Sequence, residues 1–194
     1  TLTQNQMTVQ ELKTIKGTYE ISGVGYQPEG TISGNAAEDA AVQEMLKAGV
    51  LCNDSQLVEA SGYWAIQGDP TEGALLVSAR KAGLSLEGGD YPARLDAIPF
   101  DSQHQYMATL HADGMIYIKG AAEVLLERCN GAMDASGNVI TCGGDVFRSA
   151  LEQMAARGLR VLAFARLEKP GAKQITFEDI TGLTLLGLQG MIDP

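Results

Sequence analysis

The sequence predicts an α/β chain of α+β character, with a largely antiparallel sheet flanked by helices. Three observations carry this expectation. Helical patterns and β-like runs interleave along the chain. Asp113-Gly114 stands between two runs of alternating character over 106–119, a hairpin signal that makes sheet neighbours antiparallel. The 194 residues are 45% hydrophobic and 20% charged, enough to bury a sizeable core without a disulfide or metal staple.

The elements come in order along the chain. Residues 7–15 and 18–24 read as extended pieces around a Lys16-Gly17 turn. Residues 27–34, with Pro28 and two glycines, read as a loop. A helix should begin after Asn35, an N-cap candidate with Glu38 three residues on, as a capping box requires. Ala41, Val42, Met45, Leu46 and Gly49 then recur on one face. A second helix should begin at Pro70, capped by Asp69, with Leu75, Leu76 and Ala79 on its apolar face and Gly83 ending it. After the hairpin, Gly120 turns the chain into a helix over 121–129. A fourth helix, over 146–157, has Phe147, Ala150, Leu151 and Met154 as its stripe and Gly158 at its end. Residues 159–165 read as a buried strand with one Arg, and residues 183–191 as a final strand.

Composition excludes several classes. The net charge of −10 argues against a general nucleic-acid binder, which needs a basic stripe. It leaves room for an anionic small ligand, since charges more than ~10 Å apart are screened and a few local cations decide. No apolar run approaches the ~20 residues of a membrane helix, and the N-terminal residues lack the pattern of a signal peptide. The first residue is Thr1 rather than Met, which suggests a segment of something longer. Cys52, Cys129 and Cys142 form no Cys-x-x-Cys pair and read as free thiols of a reducing compartment. There is no P-loop and no Gly-x-Ser-x-Gly elbow, and Gly23-Val24-Gly25 lacks the third glycine of a dinucleotide fingerprint. His104 and His111, the only histidines, have no metal spacing. Residues 134–138 read as a plain turn rather than a calcium loop.

Four segments remain that composition does not explain: Gly68-Asp69-Pro70-Thr71-Glu72-Gly73-Ala74-Leu75, Pro99-Phe100-Asp101-Ser102-Gln103-His104-Gln105-Tyr106-Met107, Lys119-Gly120-Ala121-Ala122-Glu123, and Gly158-Leu159-Arg160-Val161-Leu162-Ala163. In this order and spacing they resemble the nucleotide-binding domain of P-type cation-transporting ATPases. Thr1-Leu2-Thr3 resembles the stretch just after the phosphorylated aspartate in that family, and Met191-Ile192-Asp193-Pro194 resembles the start of the return hinge. The Asp-Pro-Thr-Glu and Lys-Gly-Ala-Ala-Glu forms resemble the type II calcium or sodium/proton branch. The His-Pro pair of the heavy-metal branch is absent.

The resemblance implies the P-type ATPase nucleotide-binding domain fold over residues 10–186, with connections to a phosphorylation domain at 1–9 and 187–194. It implies ATP or ADP as ligand, with Mg supplied together with the phosphorylation domain. The aspartate that attacks ATP would lie four residues before Thr1, so this chain alone is expected to be inactive. Implied partners are the phosphorylation and actuator domains of a parent membrane protein. The domain is expected to be a monomer at the cytoplasmic face of a membrane, without nucleic acid or membrane contact. The alternative is a stand-alone nucleotide-binding regulatory module without transport. The transported ion is not legible in these residues.

Residue by residue, the residues themselves and the resemblance offer two readings. Glu72 either closes a capping box on the Asp69 N–H or accepts the adenine amino group; a carboxylate has lone pairs for both. Phe100 is either a core aromatic or a stacking platform for adenine. Lys119 is either a solvated strand end or a group deep in the pocket, with Gly120 permitting close approach. Arg160, expected to be half-buried, needs a carboxylate or a phosphate as partner. Ala122 replaces a family Pro. Ser102 and Gln105 stand where relatives carry cations, which removes up to two positive charges near the phosphates. Both belong to the implied ATP-binding set with Glu72, Phe100, Lys119, Gly120 and Arg160.

Overall fold

The computed structural model describes residues 6–141 and 144–193. The Thr1-Leu2-Thr3 segment, Cys142 and Pro194 lie outside the described residues. In chain order the elements are β1 (Thr8–Lys13), β2 (Thr18–Glu20), α1 (Ala40–Leu51), β3 (Gln56–Ala60), β4 (Tyr63–Gln67) and α2 (Pro70–Lys81). Then come β5 (Arg94–Ile98), β6 (Tyr106–His111), β7 (Met115–Ala121), α3 (Ala122–Arg128), β8 (Cys129–Met133) and β9 (Val139–Ile140). The chain closes with α4 (Asp145–Ala156), β10 (Arg160–Glu168) and β11 (Leu183–Ile192).

Among the described residues nine strands make one sheet, seven of them along the path β2-β1-β11-β10-β7-β6-β5. Neighbours along it are antiparallel. The departure is β8, which runs parallel to β11 and carries β9 at its side. β3 and β4 form a separate hairpin. The expected architecture, an antiparallel sheet flanked by helices, is therefore the observed one.

Period-two alternation sends side chains to two cores. On one face Met107, Tyr117 and Phe164 pack with Val42, Met45 and Leu46 of α1 and Leu75 and Ala79 of α2. On the other, Ile116, Ile118, Ala163 and Ala165 pack with Leu125 of α3 and Phe147 and Met154 of α4. Leu46, Leu75 and Leu125 are fully buried, each contributing about 1.5–3 kcal/mol of transfer free energy.

The hairpin forms at Asp113-Gly114, with Leu110 opposite Ile116. Gly114 takes φ +82° and its N–H closes the turn on His111. Asp69 caps α2 by accepting from the Thr71 and Glu72 N–H groups. Residues 134–138 are a turn, with the Asp134 carboxylate accepting the Ser136 and Asn138 N–H groups.

The first helix corrects the sequence reading. Asn35 makes no side-chain cap; a short 3-10 turn (Ala36–Glu38) intervenes, and Asp39 caps α1. Asp39 is fully buried. Its carboxylate accepts from the Ala41 N–H, the Thr14 hydroxyl at 2.7 Å and the Tyr19 hydroxyl at 2.8 Å. These partners on the β1–β2 hairpin outweigh a local Asn-x-x-Glu match. Burial, and then Asp39, push the Tyr19 hydroxyl up to about 12. The second extended piece is also shorter than expected: β2 ends at Glu20, and only an Ile21–Ile32 bridge continues it.

His111 gives the fold a pH dependence. It is buried, with Nε2 2.9 Å from the Thr109 hydroxyl and Nδ1 3.3 Å from the Pro92 carbonyl. Burial holds its pKa below the ordinary value of 6.5. Arg94 and Lys47 push it the same way, while Asp113 and the Pro92 carbonyl oppose. Below pH 6.5 the unfolded chain therefore takes up a proton that the folded chain refuses, so stability falls as pH drops. Urea unfolding should show a loss of up to about 1.4 kcal/mol from this group between pH 7.5 and 5.5. His111→Gln should flatten that slope; an unchanged slope would mean that other groups carry it.

Candidate functional site

Six separated stretches of chain deliver side chains to one cleft of about 360 Å³. Its lining includes Glu72 and Thr71 from α2, Phe100 from the β5–β6 loop, Lys119 and Gly120 from β7, and Arg160 from β10. Five of the seven site residues expected from sequence thus share one cavity. Ser102 and Gln105 are exposed and do not line it, although they sit on the loop that carries Phe100.

Glu72 stands on the first turn of α2, where the helix dipole favours a negative group. It does not close the capping box. The Asp69 N–H goes instead to the Ser55 hydroxyl at 2.9 Å. The Glu72 carboxylate turns away from its own helix and accepts from Lys119 Nζ at 2.5 Å, the Asp54 N–H at 3.2 Å and the Ser55 hydroxyl at 3.1 Å. Its side chain is 15% exposed and that of Lys119 9%, so this is a nearly buried ion pair.

Lys119 owes its direction to strand alternation. Ile118 faces the α3–α4 core, so Lys119 points to the opposite face, directly across from Met107. Its ammonium also donates to the Cys52 carbonyl at 2.5 Å, at the C-terminal end of α1. The solvated-strand-end reading of Lys119 is therefore set aside. Next to it, a Cβ on Gly120 would lie 2.4 Å from the Gln105 carbonyl oxygen. Only glycine lets β7 approach that backbone so closely.

Phe100 is 61% exposed, which removes the core-aromatic reading. Asp101 braces its loop. The Asp101 carboxylate accepts the His104 N–H at 2.6 Å and lies 2.9 Å from the His104 ring nitrogen, and its carbonyl accepts the Gln105 N–H. Those hydrogen bonds from His104, backbone first, hold the Asp101 carboxyl below its usual range. Gln105 itself sits at φ +63°.

Arg160 corrects a second expectation. It is exposed, not half-buried, and forms no ion pair among the described residues. Standing first in β10, it reaches the Thr71 hydroxyl at 3.3 Å. With no acid paired to it among the described residues, its guanidinium keeps donors for an anion at the cleft wall. Sequence reasoning missed Met107 and Leu162 as apolar wall and Thr71 as the neighbour of Arg160. The signal for Met107 and Leu162 was the alternation that puts positions 107, 119, 160 and 162 on one face.

Chemically, the cleft offers an exposed aromatic face, apolar walls, a buried carboxylate acceptor and two cations. Its other acids are committed: Asp54 to Arg94 at 2.7 Å, and Asp69 to the start of α2. Among the described residues no group of three or more His, Cys, Asp or Glu is placed to hold a metal. Nor, among them, is any helix long and apolar enough to cross a membrane.

Comparison with known proteins adds a family. Residues 41–194 match the family described as the P-type ATPase cytoplasmic domain N. The whole chain is similar to part of the cation-transporting ATPase pma1 of Synechocystis, at 47% identity. It is likewise similar to a calcium-transporting ATPase of Bacillus subtilis at 36% and to the human calcium-transporting ATPase type 2C member 1 at 33%. It spans 23%, 23% and 21% of those relatives, respectively.

Proposed function

The chain belongs to the family of P-type ATPase cytoplasmic N domains, and from that premise we propose that its cleft binds ATP and presents it to a phosphorylation domain outside this chain. The observation that carries the proposal is the convergence of Glu72, Phe100, Lys119 and Arg160 on one cavity. In this reading adenine stacks on the exposed Phe100 ring between the walls of Met107 and Leu162. Its amino group donates to Glu72. Lys119 and the Gly120 backbone lie at the inner end, and Arg160 takes the ribose or the inner phosphates. Ser102 and Gln105 have an outer position beside Phe100. The γ-phosphate projects out of the cleft. Magnesium would have to be held by residues of the phosphorylation domain, because the acids of this cleft are already paired.

The same reading assigns the parent to ATP-driven cation transport, with this domain on the cytoplasmic side. The actuator and phosphorylation domains are its partners. The proposed connections to the phosphorylation domain, 1–9 and 187–194, are supported by the pairing of β1 with β11, which sets Thr8 opposite Ile192.

One aromatic contact and two cations support modest affinity, with a Kd of roughly 0.1 to several mM. Phe100→Ala should weaken ATP binding by about 1–3 kcal/mol, the worth of one base–aromatic stack. Its exposure means that the melting temperature should hardly move. Calorimetric titration with ATP, together with a melting curve, tests both statements. Unchanged affinity in Phe100→Ala would remove the stacking platform from the reading, and with it the proposed pose.

A further inference from the structure

Ser55 has no place in any motif of the sequence, yet its hydroxyl holds a singular position. It accepts the Asp69 N–H at 2.9 Å and donates to Glu72 Oε1 at 3.1 Å. In an ordinary capping box the N3 carboxylate would take that N–H directly. Here the hydroxyl is inserted between the two. The insertion is built rather than incidental. The Ser55 N–H donates to Asn53 Oδ1 at 2.8 Å, and Asn53 Nδ2 donates to the Glu72 carbonyl and the Gly49 carbonyl, each at 2.9 Å. Asn53 thereby ties the loop to the end of α1 and the start of α2. Space for the hydroxyl comes from Gly68: a Cβ there would lie 2.3 Å from Ser55 Oγ.

We propose that Ser55 is a positioning residue for nucleotide-base selection: by occupying the Asp69 N–H it denies Glu72 its own helix and aims the carboxylate into the cleft. This rests on the reading above, in which Glu72 accepts from the 6-amino group of adenine. Lys119 and the Asp54 N–H hold Glu72 Oε2, so loss of the Ser55 hydroxyl would strip the partner from Oε1 and from the Asp69 N–H together. Oε1 would then rotate toward the Asp69 N–H, as in a capping box, while Oε2 keeps Lys119; the carboxylate no longer faces the cleft squarely, and the helix would lose little because one cap bond replaces another.

The test compares ATP with inosine triphosphate, which presents a 6-oxo acceptor where ATP has the amino donor, by calorimetric titration of this chain and its variants. The unaltered chain should prefer ATP. Glu72→Gln should erase most of that preference. Ser55→Ala should lower ATP affinity roughly tenfold, the size of one hydrogen bond involving a charged group. It should leave inosine triphosphate binding and the melting temperature nearly unchanged. Adding Ser55→Ala to Glu72→Gln should change little further. Ser55→Thr, which keeps the hydroxyl, should restore the preference. If Ser55→Ala does not fold, Ser55→Cys, with similar volume and a far weaker donor, carries the same comparison. Equal loss for both nucleotides, or a preference untouched by Ser55→Ala while Glu72→Gln erases it, would overturn the role of Ser55 alone. A preference untouched by Glu72→Gln would overturn the adenine reading and this inference with it.

Discussion

Lys119→Met is expected to destabilise the chain by about 3–5 kcal/mol, the cost of leaving one member of a buried ion pair behind. The pair qualifies because both side chains are nearly buried and the separation is 2.5 Å. Methionine fills most of the space but supplies no donor. Two acceptors lose a partner together: Glu72 Oε2 and the Cys52 carbonyl. Glu72 would keep only the Asp54 N–H and the Ser55 hydroxyl. Adding Glu72→Gln should recover much of the loss, since a neutral amide no longer strands a charge. Urea unfolding of the single and double variants gives the comparison directly. A single-variant loss under about 1 kcal/mol would mean that water screens the pair as it does at a surface. Nucleotide binding should suffer in both variants, because the inner cation is gone in each.

The elements legible in the sequence are those whose signals are local. Asp69-Pro70 starts α2 because an aspartate cap and a proline at N1 act within one turn. Asp113-Gly114 makes its hairpin for the same reason. α3 and α4 shift by only a residue at their ends, within ordinary helix fraying. The β3–β4 hairpin carries a local signal too, one that the sequence reading missed: Ser61 and Gly62 take φ +53° and +80°, as a tight hairpin turn needs. What the sequence hid was non-local. Asp39 displaces Asn35 as a cap because Thr14 and Tyr19, 25 and 20 residues earlier, hydrogen-bond to it. The short strands β8 and β9 form because β11 lies beside β8.

The site divides in the same way. That Glu72, Phe100, Lys119 and Arg160 meet is implied by the family resemblance, since no residue pattern links positions 88 apart. Each local expectation then met a tertiary competitor. The capping box of Glu72 gave way to Ser55, 17 residues upstream. The buried reading of Arg160 came from its apolar neighbours, yet a residue that opens a strand beside a cleft is solvated. Phe100 is exposed for the converse reason: its loop is held by polar contacts of Asp101 and His104, not by packing of the ring.

Gly120→Ala is expected to lower both stability and nucleotide affinity, and to do so from a single methyl group. The added Cβ would lie 2.4 Å from the Gln105 carbonyl oxygen, 2.7 Å from Tyr106 Cβ and 2.8 Å from Tyr106 Cα. These are backbone or backbone-linked atoms of the facing strand, so no flexible side chain can move aside. The Gln105 carbonyl also accepts the Ala121 N–H at 3.0 Å, and Tyr106 pairs with Gly120 in register. Relief therefore means parting β6 from β7 at their cleft end. Overpacking of this kind costs roughly 1–3 kcal/mol, and a lost ladder bond adds about 1 kcal/mol. For a chain of this size the melting temperature should fall by about 4–16 °C. Lys119 is the adjacent residue, so its reach to Glu72 and the Cys52 carbonyl shifts with the strand, and ATP affinity should fall by about tenfold or more. Gly17→Ala is the control: no atom lies within 4 Å of its added Cβ, and the substitution should be neutral or stabilising by about 0.5 kcal/mol. Calorimetric melting and ATP titration of both variants decide the matter. If Gly120→Ala melts with the unaltered chain and still binds ATP, β7 can yield at that point, and the close approach of its backbone is not what shapes the inner end of the cleft.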